Sequence, residues 1–402
     1  MTADRSPSLL FRPLELPCGV VLPNRLAKAA MSDSLGDGEG NPTPTQMRLY
    51  ERWAEGGTGL SIIGEVQGDP RFAEKPGNLV LNEGSNYEAM RVLACRGSAG
   101  GTQLWLQLGH AGAMTHSATG TPVGPSALDL PGLTSGELSR AGIAALPDAF
   151  ARTAQLARDL GFGGVEVHAA HGFLLSQFLS PLFNRRTDEY GGPIANRMRL
   201  LLEVIDAVRN AVGPRFPVGV KLNATDQLEG GFAPDDALAV VAALDRTSID
   251  LLDVSGGTYF PGAKSASDAT GGGAYFLDFA RSARERTTKP IMVTGGFKTR
   301  DAAIDALEGG GTDLIGLARS FVLDPTLPRR WAGEGDGPVD VAFPRFTDPP
   351  EGGITAWYTM RLTELGEDRE GPHGDMTDAV ATYEARDVER TGRWNERFAS
   401  AN

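Results

Sequence analysis

The chain has 402 residues, of which 41% are hydrophobic, so it can bury a large core as one big domain or two ordinary ones. Its 51 acidic residues outnumber 38 Lys and Arg residues, and the formal net charge of −13 repels nucleic-acid phosphates and anionic lipid surfaces. Neither Met1–Leu10, which contains Asp4, nor any later stretch approaches the roughly 20 apolar residues of a membrane span. The sequence therefore predicts a cytoplasmic protein that binds neither nucleic acid nor membrane.

The two cysteines, Cys18 and Cys95, are too few for a disulfide framework. Neither belongs to a Cys-x-x-Cys pair or to a Cys/His cluster that could hold zinc or an iron–sulfur centre. The sequence predicts no metal site.

Short apolar runs that end in glycine or polar residues alternate along the chain with longer amphipathic stretches. This alternation is typical of parallel strands joined by crossover helices. The predicted strands are Leu26–Ser32, Gly59–Val66, Thr102–His110, Gly164–Ala170, Val218–Ala224, Leu251–Gly257, Ile291–Gly296 and Asp313–Arg319. The predicted helices are Thr45–Glu55, Asn86–Cys95, Pro147–Leu160, Asn196–Val212, Pro234–Asp245, Gly273–Thr287, Arg300–Glu308 and Asp324–Ala332.

Eight strand–helix units in one chain fit an α/β fold of the closed (β/α)8 TIM-barrel type better than an open doubly wound sheet. The doubly wound alternative requires a Gly-x-Gly-x-x-Gly turn after the first strand, whereas Leu26–Ser32 continues into Asp33-Ser34-Leu35-Gly36. We expect a barrel over residues 1–335, with an N-terminal β-hairpin plug at about 9–25. Residues 336–402 are expected to form a C-terminal extension on the barrel or on a partner subunit, with helices at Ile354–Leu365 and Met376–Arg390.

Two of the five histidines, His168 and His171, lie at the end of the predicted fourth strand. In an extended strand their side chains would point to opposite faces, so they converge only if the chain turns after Ala170, which Gly172 permits. Two imidazoles directed at one point can donate hydrogen bonds to a carbonyl or nitro oxygen on which negative charge develops. The alternative is a pair of partly buried histidines that serve loop hydrogen bonds.

The predicted fifth strand buries Lys221 in an apolar run, and a buried ammonium group is costly unless an anion faces it. A reduced flavin would provide such an anion, and a Schiff-base lysine of an aldolase is the rival interpretation. Gln107 at the end of the third strand has an amide that can pair with a donor and an acceptor on one heterocycle edge.

The last two strands end in small residues that are followed by helix starts. Backbone N–H groups freed in this way bind phosphate, and an arginine supplies the opposite charge. We therefore predict a phosphate cradle in loops seven and eight, formed by Gly295, Gly296, Ala318 and Arg319.

Several motifs between about Leu14 and Trp331 resemble the Old Yellow Enzyme family of NAD(P)H:flavin oxidoreductases. The central motif is GFGGVEVHAAHGFLLSQFLSP at 161–181, continued by NRRTDEYGG at 184–192 and by Asn196-Arg197. Pro23-Asn24-Arg25 and the PVGPS stretch at 122–126 also match.

This resemblance implies non-covalent FMN across the barrel mouth and a ping-pong reaction, in which NADH or NADPH reduces the flavin and an electron-poor acceptor then takes hydride from it. It places His168 and His171 at the substrate-anchoring positions and Lys221 at the N1–C2 region of the flavin, with Gln107 at its pyrimidine edge. The other implied flavin contacts are Ala29, Ala30, Met31, Ser32, Gly64, Glu65 and the four residues of the phosphate cradle. Family habit also suggests a homo-oligomer.

The sequence departs from the family at the tyrosine that protonates the acceptor's α carbon in many members, because Phe173 occupies this position. Glu65 is a candidate substitute acid, and a carboxylate turned toward solvent or toward an arginine is the alternative. The arginine often found near the end of strand three is replaced by Ala113, and the cysteine cluster of longer, fused relatives is missing.

The predicted activity is reduction of activated C=C bonds, with nitro compounds and quinones as further acceptors. The alternatives are a desaturating dehydrogenase on the same scaffold, a lysine-dependent aldolase, and a flavoprotein with reduced catalysis that serves as a binding or assembly component, which Phe173 leaves open. The loops at Met114–Leu133 and Thr258–Gly272 are expected to shape the acceptor pocket.

Overall fold

A computed structural model describes residues 8–260, 274–334, 338–350, 352–371 and 374–398. The greater part of the predicted acceptor loop Thr258–Gly272 therefore lies outside the described residues, as does Gly273 at the start of one predicted helix. In the described part the strands are β1 Leu14–Glu15, β2 Val21–Leu22, β3 Leu26–Lys28, β4 Leu60–Gln67, β5 Leu79–Val80, β6 Gln103–Gly109, β7 Val123–Gly124, β8 Leu128–Leu130, β9 Leu133–Glu137, β10 Gly164–Ala169, β11 Val218–Asn223, β12 Leu251–Ser255, β13 Ile291–Thr294 and β14 Leu314–Leu317.

The helices lie between and after these strands. They are α1 Pro44–Glu55, α2 Tyr87–Gly97, α3 Arg140–Asp159, α4 Leu174–Leu179, α5 Ile194–Arg197, α6 Arg199–Val212, α7 Pro234–Asp245, α8 Leu277–Arg284, α9 Arg300–Glu308, α10 Arg319–Leu323, α11 Leu327–Trp331, α12 Gly353–Gly366 and α13 Met376–Phe398.

Eight of the strands form a closed parallel barrel. Its strand order is β3-β14-β13-β12-β11-β10-β6-β4, and β3 pairs with β4 to complete the ring. All eight predicted strands are present with bounds that differ by a few residues, so the predicted (β/α)8 fold is confirmed.

The barrel interior changes from apolar at its floor to polar at its mouth. The floor is a buried cluster that includes Leu60, Trp105, Leu251 and Leu314, near the amino ends of the strands. Side chains of the hairpin β1–β2, among them Leu14, belong to the same cluster, so the predicted hairpin plug at the floor is present. Because parallel strands all end at the opposite face, the polar side chains collect there.

Helix α3 corrects one sequence prediction. We expected a helix over Pro147–Leu160, with the proline in its first turn. The helix instead begins at Arg140, where the Ser139 side chain caps it, and Pro147 lies inside it. A proline is therefore a weak marker of the helix start here, since Ser139 supplies the N-cap well upstream of it.

The two helices of the extension pack against the barrel and against each other. Helix α12 contacts α1 and α13. Helix α13 lies over the loops that follow β3 and β4, where Arg390 donates to the Ser34 carbonyl and Trp394 packs with Ala73 and Val80. Helix α13 also continues to Phe398, beyond the predicted end at Arg390.

Candidate active site at the mouth of the barrel

A layer of polar side chains crosses the barrel interior below its mouth. Gln107 Nε2 donates to Glu166 Oε1 at 2.7 Å, and the Lys221 ammonium lies 3.7 Å from the same oxygen. Lys221 also forms a hydrogen-bonded ion pair with Asp253, which accepts from Thr294 Oγ1 at 2.7 Å. The two carboxylates thus provide the anions that the sequence argument required for Lys221. Burial lowers the pKa of Lys221 below its ordinary value, and Glu166 opposes this only in part.

Strand β10 ends in a sharp turn that brings the two histidines together. His171 and Gly172 adopt left-handed backbone conformations with φ of 62° and 83°. The ring centroids of His168 and His171 are 5.2 Å apart, with the ring planes at 79°. The turn that the sequence required after Ala170 is therefore present.

Hydrogen bonds and close packing hold this turn in place. The His171 backbone N–H donates to Asn223 Oδ1 at 3.1 Å, and its Nε2 lies 2.9 Å from Ser255 Oγ. A side chain at Gly172 is excluded by space as well as by φ, because an added Cβ would lie 2.1 Å from Thr258 Oγ1. The turn after β10 and the loop after β12 are therefore packed directly against each other.

Both imidazoles are neutral at ordinary pH. Burial, and secondly the positive charge of Lys221, lower the pKa of His171 to about 3. Burial, together with His171 and Lys221, also lowers the pKa of His168 well below its usual value. His168 Nδ1 is buried with no hydrogen-bond partner in the described part of the chain. A neutral imidazole with a free nitrogen can donate to or accept from a bound carbonyl compound.

Two further aromatic rings complete the cluster around the histidines. Phe173 lies 5.1 Å from His168 between ring centroids, and Tyr259 lies 5.5 Å from His171. The rings of Phe173 and Tyr259 are 6.0 Å apart. We call His168, His171, Phe173 and Tyr259 the aromatic cluster. Sequence reasoning missed Tyr259, and its only signal was its position in a loop expected to shape the acceptor pocket.

Glu65 lies in a β-bulge opposite Gln107. Ile63 pairs with Leu106 and Val66 with Leu108, so Gly64 and Glu65 together oppose one residue of β6. Glu65 has a φ of 51°, which is uncommon for a residue other than glycine. Bulges of this kind redirect a side chain beside an active site.

The Glu65 carboxyl is buried and lacks a cation in contact with it among the described residues. Burial, followed by the charge of Glu74 and a hydrogen bond to it, raises the pKa of Glu65 well above its usual value, and the charge of Lys75 opposes this only in part. Glu65 is therefore an acid that keeps its proton under conditions in which most carboxyl groups have lost theirs.

The loop after β3 carries four of the predicted flavin contacts, Ala29, Ala30, Met31 and Ser32. Ala29 N–H donates to the Leu317 carbonyl at 2.8 Å, so this loop begins beside the end of β14. Gly64 packs against it so closely that an added Cβ would lie 2.4 Å from the Met31 carbonyl carbon. The loop and the Glu65 bulge therefore share one rim of the barrel mouth.

The predicted phosphate cradle occupies the neighbouring rim. Gly295 and Gly296 follow β13 with φ of 106° and 85°, and Gly295 N–H points to the Gly316 carbonyl at 3.3 Å. Arg319 begins α10 directly after Ala318, and its guanidinium lies 5.7 Å from the ring centre of Tyr358 in α12. Tyr358 is a second residue that sequence reasoning missed, because nothing in the tail sequence indicates contact with this loop.

No group of three or more His, Cys, Asp or Glu side chains in the described ranges is arranged to hold a metal ion. Within the same ranges, no helix combines the length and apolarity that crossing a membrane requires.

The donor set of the barrel mouth fits a flavin phosphate. Such a ligand has a polar heterocyclic edge, an apolar ring system and a dianionic phosphate. The mouth provides an amide and an ammonium at its base, small residues along the β3 loop and a glycine-rich loop beside Arg319. The buried, unpartnered polar atoms here, Ser32 Oγ, Glu166 Oε2 and His168 Nδ1, are consistent with contacts to a bound molecule.

The fold and this rim define a parallel-barrel enzyme of the flavin mononucleotide-binding type. Residues 9–334 match the model of the NADH:flavin oxidoreductase / NADH oxidase family, and the chain belongs to this family. Its members are enzymes that use FMN with NADH or NADPH, and the resemblance to Old Yellow Enzyme found in the sequence is confirmed.

Characterised relatives carry names of the same kind. An NADH-dependent flavin oxidoreductase of Neonectria sp. is 38% identical over 79% of this chain, which corresponds to 46% of that protein. One of Hypocrea jecorina is 33% identical, and the alignment covers 79% of this chain and 87% of the relative. The NADPH dehydrogenase of Bacillus licheniformis is 33% identical, with coverage of 80% and 93%. The chain thus spans about half of the first relative and most of the other two.

Solved structures show the same architecture. Morphinone reductase superposes with a TM-score of 0.70 at 27% identity, over 83% of this chain and 92% of the other. The 2-naphthoyl-CoA reductase complex gives a TM-score of 0.75 at 26% identity, over 80% of this chain and 52% of that longer one.

Proposed function

We propose that the protein reduces activated C=C bonds of α,β-unsaturated carbonyl compounds at the expense of NADH or NADPH, with nitro compounds and quinones as further acceptors. The observation that carries this proposal is the pair of neutral imidazoles, His168 and His171, held at the barrel mouth. Neutral donors stabilise negative charge that develops on a carbonyl oxygen without forming a permanent ion pair with the substrate.

The proposed cofactor site uses the residues named by sequence. Gln107 and Lys221 would hold the polar heterocycle edge. The two rims would hold the remainder through Ala29, Ala30, Met31, Ser32, Gly64, Glu65, Gly295, Gly296, Ala318 and Arg319. When bound, FMN supplies the hydride that reaches the β carbon of the acceptor. Asp253 and Glu166 hold the Lys221 side chain in place at the base of this site.

In the proposed reaction the histidine pair orients the acceptor and the protein provides a proton. His168 and His171 donate hydrogen bonds to the acceptor oxygen, which polarises the double bond. Phe173 excludes water from one side of the aromatic cluster but carries no proton. Glu65 is the protonated carboxyl on the facing rim, and we propose that it supplies protons to the site.

A lysine-dependent aldolase is disfavoured by the geometry around Lys221. A Schiff-base lysine must present a neutral amine to its substrate. Lys221 instead makes an ion pair with Asp253 and lies 3.7 Å from Glu166, so both buried carboxylates favour the ammonium form.

The geometry does not separate the desaturating direction from reduction. The first experiment below therefore includes an outcome that favours the desaturating direction.

We propose that the extension at 336–402 works with the barrel as one unit in a cytoplasmic enzyme, and that a homo-oligomer would be built at this extension. The contact between Tyr358 and Arg319 supports the first part, because it connects the extension to the proposed phosphate site. Besides the nicotinamide, the proposed partner is a small electron-poor molecule that binds at the aromatic cluster.

The first experiment is an anaerobic titration of the FMN-loaded protein with NADH and with NADPH, followed by cyclic enones, nitro compounds and quinones, with the flavin absorbance recorded. We expect bleaching by a nicotinamide and recovery with an enone. Failure to take up FMN would overturn the cofactor site. Bleaching that no enone, nitro compound or quinone reverses would overturn the reductase proposal and favour the desaturating direction.

Replacement of Glu65 tests its proposed role as an acid. Glu65→Gln keeps the shape and burial but has no acidic proton, so we expect slower reoxidation by an enone and unchanged reduction by the nicotinamide. The two half-reactions are measured separately by stopped-flow absorbance. Glu74→Asp is the matched control because it keeps the neighbouring carboxyl. Equal loss in both half-reactions, or loss in neither, would remove Glu65 from the reaction.

A further inference from the structure

We propose that Tyr259, in the loop after β12, donates the proton that the acceptor's α carbon requires, the position that Phe173 leaves without a donor. This inference rests on the proposed reduction of enones. It assigns protonation of the α carbon to the Tyr259 phenol, and the pair of Glu65 and Glu74 then returns a proton to that phenol.

The geometry of the aromatic cluster places Tyr259 beside the acceptor site. Its ring centre is 5.5 Å from that of His171 and 6.0 Å from that of Phe173. An oxygen held by His168 and His171 therefore brings the acceptor's carbon skeleton into the reach of Tyr259. Phe173 is 2% exposed, whereas Tyr259 is 58% exposed, so the phenol lies on the open side of the cluster.

The backbone around Tyr259 is fixed to the histidine turn. Tyr259 N–H donates to the His171 carbonyl at 3.1 Å, and Thr258 pairs with His171 in a parallel bridge. On the other side, the Phe260 ring packs on Phe183 with centroids 4.6 Å apart. A side chain between two such anchors is held at a defined position relative to the imidazoles, which general acid catalysis requires.

The chemical environment keeps the phenol protonated and gives it a source of protons. A phenol is protonated at neutral pH because its ordinary pKa is about 10, and the negative charges of Glu74 and Glu65 favour this form of Tyr259. Glu74 and Glu65 are thus the carboxyl groups whose charges act on the phenol. A protonated carboxyl beside a phenolate returns the proton, and solvent at the rim recharges the carboxyl.

Atoms and electrons balance in the proposed step. Hydride supplied at the β carbon forms a C–H bond, and the electron pair of the C=C bond becomes the enolate held by His168 and His171. The O–H bond of Tyr259 then breaks, its proton forms the second C–H bond at the α carbon, and the phenolate takes a proton from the Glu65–Glu74 pair. The enone is reduced by two electrons and the nicotinamide is the reductant.

Tyr259→Phe separates carbon protonation from the other steps. We expect reduction by NADH to stay within about twofold of the parent and reoxidation by cyclohexenone to fall on the order of 100-fold, as loss of a general acid predicts. A quinone accepts its protons on oxygen, so reoxidation by a quinone should change by less than about threefold. Tyr190→Phe is the matched control, because the Tyr190 hydroxyl bonds Glu203 at 3.1 Å, outside the cluster.

Three further experiments distinguish a proton donor from a structural residue. Calorimetric binding of cyclohexanone to the oxidised protein should stay within about twofold in Tyr259→Phe, because the imidazoles hold the oxygen. In D2O, the parent should deliver deuterium to one face of the α carbon of 2-methylcyclohexenone, whereas the variant should give a mixture of both faces. Phe173→Tyr added to Tyr259→Phe restores a phenol within the cluster and should recover at least about tenfold of the lost enone rate.

Equal loss with enone and quinone, or a loss of cyclohexanone binding that matches the loss of rate, would overturn the proton-donor role. An unchanged enone rate in Tyr259→Phe would overturn it as well, while the proposed function would stand. If no enone reoxidises the parent protein, the proposed reduction of C=C bonds and the role of Tyr259 are both wrong.

Discussion

Two buried glutamates at the barrel mouth have opposite environments. Glu166 is 0% exposed, accepts a hydrogen bond from Gln107 and lies 3.7 Å from the Lys221 ammonium. Glu65 is 6% exposed and has another carboxyl, Glu74, as its neighbour. Burial raises the pKa of both, but Lys221 and Gln107 oppose this for Glu166, whereas Glu74 adds to it for Glu65.

The difference shows how one residue type serves two purposes in one barrel. A buried carboxylate paired with an ammonium keeps its charge and fixes the position of the cation. A buried carboxyl beside a second carboxyl keeps its proton and can give it away. The interior layer is thus an organised charge network, and the rim carries the carboxyl group that keeps its proton.

Among the predicted changes, loss of the Lys221 ammonium should have the largest effect, and this effect is on stability. Lys221→Met leaves Glu166 and Asp253 buried without their ammonium, and we expect a loss of about 3–5 kcal/mol in the free energy of unfolding. Urea unfolding at saturating FMN measures this loss. The matched control is Lys28→Met, because Lys28 is equally buried but bonds the Ile62 carbonyl at 2.8 Å and Tyr50 instead of a carboxylate.

Burial lowers the pKa of Lys28 to about 7, so this side chain gives up its charge far more readily than an ordinary lysine. The control should therefore cost only about 1–2 kcal/mol, mainly for the unsatisfied carbonyl. Equal losses in the two variants would contradict the assignment of Lys221 as the counter-charge of the interior carboxylates.

The pH dependence of stability should distinguish the two glutamates next. The pKa of Glu65 is raised in the folded protein from 4.5, so the folded state binds a proton that the unfolded state releases first. Its stabilising contribution is therefore complete below about pH 4.5 and is lost as pH rises through the folded-state pKa, by about 1.4 kcal/mol for each pH unit between the unfolded-state and folded-state pKa values. Glu65→Gln should remove this decline, which unfolding curves measured from acid to neutral pH will test. A parent and a variant with parallel profiles would argue against a buried protonated Glu65.

The smallest expected effect concerns the neighbour of Glu65. Glu74→Gln removes the like charge, so the pKa of Glu65 should fall. The rate of enone reoxidation should therefore begin to fall at a lower pH than in the parent protein. Glu74→Asp keeps the charge and should leave the profile in place. A change of the same size in both variants would indicate that the space beside Glu65, not the charge, sets its pKa.

The sequence was sufficient for the barrel because each strand has a local signature. Runs such as Val218–Asn223 are apolar, short and followed by a polar or glycine-rich end, and eight such runs imply the closed ring. Helix α3 was placed less well, because Pro147 is tolerated inside the helix while the cap at Ser139 sets its start. Local propensity is a weak guide where a competing cap lies upstream.

Contacts between distant segments were beyond the reach of the sequence. The partner of Lys221 depends on the register of β11 against β12, which aligns Lys221 with Asp253. Tyr259 meets His171 only because two loops from different strands converge. The bulge that redirects Glu65 is likewise a property of the pairing of β4 with β6. None of these three contacts leaves a periodic pattern in the sequence, so they become visible only in the folded structure.

The position of α13 has a consequence for the order in which the protein matures on the ribosome. Arg390 donates to the Ser34 carbonyl, and Trp394 packs on Ala73 and Val80, so α13 fixes loops that are synthesised well before it. Because domains form progressively as the chain emerges, the barrel can close while these loops still lack their fastening. The nascent polypeptide thus gains a closed barrel before the loops at its mouth are fixed, and FMN binding becomes stable only after α13 has emerged and packed.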